Sequence, residues 1–288
     1  MNIGLTVADF TWPGGPASIG PALAAIAETA EEAGFSSITV MDHLFQIRMN
    51  GPAEHEMLEA YTTLAFLAAR TSTIRLGTLV TAVHHRQPGL LAKIVTTLDV
   101  LSGGRAFLGI GAGWNEQESR GLGLPFPPLG VRFEQLEETL QICRRMWDGD
   151  ERPFEGHRFR LERPLNSPRP LHRPRVMVGG GGERKTLRLV ARYADACNLM
   201  PGPELGAKLD VLRAHCEAEG RDYDAIEKTI AYVLDVGPGG ERVDRTIEEL
   251  AGYAELGIQT VHAGVMPAHD VGALALVGER VIPAVAGL

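Results

Sequence analysis

The chain is poor in the features that mark several protein classes. It has three cysteines, Cys143, Cys197 and Cys216, widely spaced and with no CxxC, so neither a disulfide framework nor a thiolate metal site is indicated. No apolar run approaches the ~18 residues of a membrane span, and the start MNIGLTVADF lacks a basic stretch followed by an apolar one. The expectation is a cytoplasmic protein without a membrane partner. Positive charge is short as well: a net charge of -8 disfavours nucleic acid as a partner. Several motifs are missing too. HEMLE at residues 55–59 lacks the second histidine of a zinc-protease helix, His84 and His85 are adjacent rather than a turn apart, and there is no GxSxG elbow. No metal is expected.

What is present is a recurrence. Short apolar or β-branched runs alternate with segments of helical period, as when each strand is buried on both faces and returned by a helix. Strands are expected at 3–7, 37–41, 75–80, 105–110, 175–178, 196–200, 228–236 and 260–265. Between them, Pro88 suits a first helical turn, Leu91, Ile94, Val95 and Leu98 share one face, and Gly103 and Gly104 end that helix. Phe133, Leu136, Leu140, Cys143 and Trp147 repeat at spacings of three and four. Eight alternating units predict an α/β fold of (β/α)8 TIM-barrel type, a single domain over 1–288. The long stretch between strands four and five, about 121–174, reads as an insertion over the barrel mouth that could act as a lid.

In such a barrel the chemistry belongs to the strand C-terminal ends. Asp42 and His43 follow the second strand, where an imidazole could exchange a proton near neutral pH; a turn with Asp42 as a cap is the plainer alternative. Gly77 within LGTLVT suggests a bulge or a close backbone approach, with Thr78 and Thr81 supplying hydroxyls, or simple packing. After the fourth strand, GIGAGWNEQE brings Gly111, Trp114, Asn115 and Glu116 to the mouth; alternatively Asn115 only caps a short helix, with Glu118 completing a capping box. It is not the dinucleotide GxGxxG, since Trp114 stands where glycine is required. Gly179, Gly180, Gly181 and Gly182 lead into a helix, and their unhindered N–H groups suit an anion, with Arg184 and Lys185 close by; a tight turn is the alternative.

Together, VMDH, RLGTLVT, LSGGRAFLGIGAGWNEQE and VGGGG, in that order and spacing, resemble the luciferase-like superfamily, especially its coenzyme F420-dependent oxidoreductases. The resemblance spans nearly the whole chain. It implies a homodimer binding F420, or alternatively FMN, across the barrel mouth. The ring would rest against a non-prolyl cis peptide near Thr78, Leu79 and Val80, with Asp42 and His43 at its reactive edge. Asn115 and Glu116 approximately match the ring-binding loop, and the phosphate would lie on Gly179 to Gly182. The implied reaction is hydride transfer with a small-molecule substrate, His43 handling the proton and Glu116 the second candidate. An FMN-dependent monooxygenase fed by a separate reductase is the rival within the superfamily. A non-redox barrel acting on a phosphorylated molecule and a catalytically silent flavin binder are the readings outside redox turnover. Sugar-phosphate dehydrogenases of this group carry a tryptophan shortly after the Asp-His pair. Ile47 stands near that place here, and with Phe45, Met49 and Trp12 it points to a more apolar substrate.

Overall fold

The computed structural model of the chain describes residues 1–267 and 269–288. Eight parallel strands form its centre: β1 (Asn2–Val7), β2 (Ser37–Val40), β3 (Arg75–Thr78), β4 (Ala106–Gly111), β5 (Arg175–Gly179), β6 (Ala196–Leu199), β7 (Glu227–Leu234) and β8 (Thr260–Val265). Each pairs with the next, and β8 returns to β1 through Asn2 opposite Thr260 and Ile3 opposite Val261. The sheet is therefore a closed (β/α)8 barrel. Every residue of β2, β4 and β6 is buried, because helices cover the outer face and layered side chains fill the inner one. One apolar core runs from Met1 to Val285. The three cysteines lie within it, free and buried.

Helices α1 (Pro16–Glu32), α2 (Ala60–Ala68) and α3 (Pro88–Leu101) follow the first three strands. Pro88 opens α3 as anticipated, Leu91, Val95 and Leu98 are buried, and Gly103 and Gly104 leave it with φ of 72° and 90°. The short α4 (Glu116–Gly121) and the long α5 (Leu129–Asp148) follow β4; α6 (Thr186–Tyr193), α7 (Leu205–Glu219) and α8 (Val243–Glu255) follow β5, β6 and β7.

No residue of the 121–174 stretch lines the cavity at the barrel mouth. Its helix α5 lies on the outer wall against α3, where the Trp147 indole donates to the Ala92 carbonyl at 3.2 Å. A hairpin pairs Phe154–Glu155 with Arg160–Leu161, its turn held by the Glu138 carboxylate, which accepts from the amides of His157, Arg158 and Phe159. The Pro/Arg-rich return is tied to α3 by Asn166, which donates to Thr96 Oγ1, and by Asp99, which accepts the Leu171 amide. Those anchors fix the later part of the segment to α3, while Arg132 donates to the Ala112 carbonyl beside the mouth.

One irregularity shapes the site. Leu76 and Gly77 face Ala106 and Phe107, but Thr81 and Ala82 face Ile110 and Gly111, so five residue steps on one strand match four on the other. That is a β-bulge. It contains a cis peptide between Leu79 and Val80. Glycine at three neighbouring positions makes room: a Cβ on Gly109 would stand 1.9 Å from the Thr78 carbonyl oxygen, and one on Gly179 would meet Val80 Cγ1 at 2.9 Å. Gly111 is nearly as tight, with Val80 Cγ2 at 3.2 Å.

Candidate active site

The C-terminal mouth of the barrel holds a cavity of ≈ 500 Å³. Of the residues singled out from sequence, Asp42, His43, Leu79, Val80, Thr81, Gly111, Trp114 and Gly179 to Gly182 line it. Ile47 and Met49, also named from sequence, line it too, and Thr6, Ala8, Asn50, Glu118, Thr186, Asn198, Met200 and Ala231 are among those that join them.

The first arrangement pairs His43 with Glu118. Glu118 is almost completely buried; Oε1 lies 2.8 Å from His43 Nδ1, and Oε2 accepts the amides of Leu44 at 2.7 Å and Phe45 at 3.2 Å. Burial pushes this carboxyl up, but the hydrogen bonds from His43 and the two amides outweigh it and hold the pKa below the ordinary carboxylate range. An ionised carboxylate only accepts, so the proton of this bond is assigned to His43 Nδ1. Nε2 has no hydrogen-bond partner among the described residues. Trp114 and the imidazole pack in a T-shaped arrangement, their ring centroids 5.4 Å apart.

Beside it, the Asp42 carboxylate is fully engaged. Arg86 Nη1 donates to Oδ2 at 2.5 Å and Nη2 to Oδ1 at 3.0 Å, while Nη2 also reaches Glu59 and the guanidinium lies 4.8 Å over the Tyr61 ring. Bidentate pairing of this kind fixes orientation as well as charge. Asp42 therefore positions the β2 end, with each of its carboxylate oxygens held by one nitrogen of Arg86. His85 sits between the carboxylates, each of its ring nitrogens 3.9 Å from one of them and neither hydrogen-bonded, with burial holding it neutral by lowering its pKa. Behind the bulge a hydroxyl chain runs in one direction. Thr78 donates to the Gly109 carbonyl and Thr81 donates to Thr78, so Tyr61 must donate to Thr81 at 2.7 Å.

The opposite wall is the glycine loop. The Gly180 amide donates to the Asn198 carbonyl, whereas the amides of Gly181 and Gly182 meet no acceptor among the described residues, just before α6 begins at Thr186. Lys208 of α7 brings its ammonium group to 3.3 Å from the Gly181 carbonyl. Free amides at a helix start with a nearby cation make an anion cradle. Arg184 and Lys185 do not line the cavity; Lys185 turns outward over the Phe133 ring at 5.4 Å.

Four sequence expectations need correction. Glu116 does not reach the cavity, because it is half-exposed and pairs with Arg120 at 2.6 Å on the outer side of α4. Asn115 caps α4 by accepting the Gln117 amide, and Glu118, instead of completing a capping box, crosses to the β2 loop. Thr78 is sealed behind the bulge by its bond to Gly109. Trp12 is buried against Phe10, and Phe45 packs over Gly121, so neither lines the cavity, whereas Ile47 and Met49 do. Among the described residues no three His, Cys, Asp or Glu side chains gather as a metal site. No helix among them is long and apolar enough to cross a membrane.

The profile of the luciferase-like monooxygenase family matches residues 1–277. The chain is 33% identical over 242 residues to an F420-dependent glucose-6-phosphate dehydrogenase of Nakamurella multipartita, an alignment covering 81% of this chain and 69% of that one. A solved F420-dependent secondary alcohol dehydrogenase, in complex with an F420-acetone adduct, superposes with a TM-score of 0.81 at 19% identity, over 99% of this chain and 98% of that one. The oxygenating constituent of 3,6-diketocamphane monooxygenase from the CAM plasmid of Pseudomonas putida, in complex with FMN, gives 0.76 at 19% identity over 98% of both. At those identities the two structures speak for the fold. The chain belongs to the luciferase-like monooxygenase family, and it is an oxidoreductase. The non-redox barrel reading is thereby set aside.

Proposed function

We propose that this protein is a coenzyme F420-dependent oxidoreductase that moves a hydride between the deazaflavin and a small organic substrate. The observation that carries the reading is the division of one cavity between two walls: an anion cradle at Gly181 and Gly182, and across from it His43 with one unengaged nitrogen. Relatives that share a third of their residues with the chain are named as F420-dependent, which favours the deazaflavin over FMN.

The residues present suit such a group. The amides of Gly181 and Gly182, with Thr186 and Lys208 at the same corner, would hold a phosphate; Leu79 and Val80, on the bulge, would support a flat ring from behind. When bound, a deazaflavin supplies a carbon that accepts or returns a hydride. His43 Nε2 takes or gives the accompanying proton, and Glu118 keeps Nδ1 protonated and stabilises the imidazolium that forms. Asp42, locked by Arg86, holds the end of β2 so that His43 emerges at the mouth. Trp114, beside His43, walls the same side. The reading also takes the protein as a cytoplasmic homodimer, which light scattering on the purified chain checks; a monomeric mass would remove that part.

The deciding experiment is a titration of the purified protein with oxidised F420 and, in parallel, with FMN, followed by ligand fluorescence. Saturable F420 binding with much weaker FMN binding is the expected result. The reverse preference moves the assignment to an FMN-dependent monooxygenase, and binding of neither removes both.

A further inference from the structure

The sulfur atoms of the chain divide between the interior and one rim of the barrel. All three cysteines are free and buried. Burial pushes the Cys143 thiol up to about 12, the Cys197 thiol up to about 11 and the Cys216 thiol above its ordinary value. They stay protonated at neutral pH, and it is the thiolate that peroxides attack. Among the methionines, Met1, Met41, Met146 and Met177 are buried, and Met57 packs against the core. The other three, Met49, Met200 and Met266, are 78%, 67% and 54% exposed. Each follows the C-terminal end of a strand: Met49 lies in the loop after β2, Met200 directly after β6 and Met266 directly after β8. Accessible sulfur among the described residues is thus confined to the mouth end of the barrel.

Two of these three thioethers stand in the cavity itself. Met49 comes from the loop that carries His43, and Met200 from the end of β6, the strand paired with the one that ends in the glycine loop. Met266 is exposed but does not line the cavity. A thioether on a flexible, unbranched side chain offers apolar, polarisable surface to whatever fills the mouth. A sulfoxide at the same place is polar and chiral, and its added oxygen takes up room and accepts hydrogen bonds.

We infer that Met49 and Met200 form a peroxide-reactive modification site, at which conversion of the two thioethers to sulfoxides lowers ligand occupancy of the mouth. In each step the sulfur lone pair attacks one oxygen of hydrogen peroxide. The S–O bond forms, the O–O bond breaks, and the proton on the transferred oxygen passes to the departing hydroxide to give water. Sulfur loses two electrons and the peroxide gains them, so thioether and hydrogen peroxide give sulfoxide and water. The effect on occupancy rests on the F420 reading above, which supplies its probe; the place of modification does not. Sulfoxide reductases reverse the change, one enzyme for each epimer.

The test treats the folded protein with hydrogen peroxide, maps the added oxygen by peptide mass spectrometry, and titrates treated and untreated protein with oxidised F420. Met49 and Met200 should take up oxygen at least about tenfold faster than Met146 and Met177, with the cysteines unmodified. Treated wild type should bind F420 at least about fivefold more weakly than untreated, because a polar oxygen now faces the ligand, at an unchanged melting temperature. In the volume-conserving double variant Met49→Leu, Met200→Leu, the same treatment should leave the affinity where it stood before treatment. Met266→Leu should lose affinity on treatment as the wild type does, which separates the cavity lining from exposure alone. Oxygen spread evenly over the methionines, or arriving first on a cysteine, would overturn the site. Complete oxidation of Met49 and Met200 with unchanged affinity would overturn its consequence, and so would an equal loss in the double variant. If the untreated protein takes up no F420, the cofactor reading fails by itself, and the oxygen map decides the modification site alone.

Discussion

The two ends of the barrel are built from similar side chains and behave differently. At the N-terminal end, Arg75, Arg175, Glu227 and His262 surround a cavity of ≈ 30 Å³, room for a water or two. Arg175 pairs with Glu227 at 2.7 Å, Thr260 donates to the same carboxylate, and a Cβ on Gly4 would lie 2.3 Å from Ser37 Oγ. Burial pushes the His262 imidazole down to about 4. At the C-terminal end, Asp42–Arg86 and His43–Glu118 are equally well paired, yet the cavity is ≈ 500 Å³ and one imidazole nitrogen is left over. Buried ionisable groups alone therefore do not mark a site. His262 Nδ1 and Ser37 Oγ at the closed end are unpartnered as well, so of the two ends it is the mouth alone that adds space to an unspent hydrogen-bonding atom.

The comparison can be broken at several points. Gly109→Val should have the largest effect, since its side chain would have to displace the Thr78 carbonyl. The expected loss is on the order of 5 kcal/mol, or failure to fold, read as the midpoint of urea unfolding. A midpoint like that of the wild type would show that the bulge does not depend on this glycine. Arg86→Leu leaves Asp42 buried without its partner and should cost about 3–5 kcal/mol in the same assay; a change too small to measure would mean that Asp42 is neutralised some other way. His43→Gln should lower F420-dependent turnover about 10²- to 10⁴-fold while F420 affinity and melting temperature stay close to wild type. Retention of full turnover would remove His43 from the proton step.

The smallest effect lies at the closed end and is read in pH. His262 is held neutral in the fold, near 4, against about 6.5 in the unfolded chain. Between those values the unfolded chain binds the extra proton, so stability falls as pH drops from about 6.5 toward 4. His84, which burial also holds near 4, adds to the same slope. The wild type should lose about 1–2 kcal/mol per histidine between pH 7 and 5, and His262→Gln should flatten the dependence. Identical slopes in the two proteins would contradict the assignment.

Much of the barrel was legible because a strand buried on both faces leaves an unbroken apolar run, as at 106–111 and 196–199, and because Pro88 and Gly103 punctuate α3. The strand ends then located Asp42, His43 and the glycine loop. What escaped depended on partners distant in the chain. Glu116 and Glu118 are two residues apart on α4, about 200° around the helix, so one faces Arg120 and the other His43; no local pattern separates them. Lys208 and Asn198 reach the cradle from α7 and β6, the neighbouring unit of the barrel. The course of the 121–174 segment is hidden for the same reason. Its amphipathic helix announces a buried face, but only the contacts of Trp147 and Asn166 with α3 reveal which surface covers it.

The central claim, that the mouth holds F420 with its phosphate on the glycine loop, is tested most directly by F420 titration of the wild type beside Gly181→Asp. The atoms nearest to a Cβ at Gly181 belong to the flexible Lys208 side chain, the first at 3.1 Å, so the variant should fold. The account predicts saturable binding in the wild type and affinity at least about tenfold weaker in the variant, from a carboxylate set where the phosphate lies, with unchanged melting temperature. Equal affinity in the two proteins would contradict it.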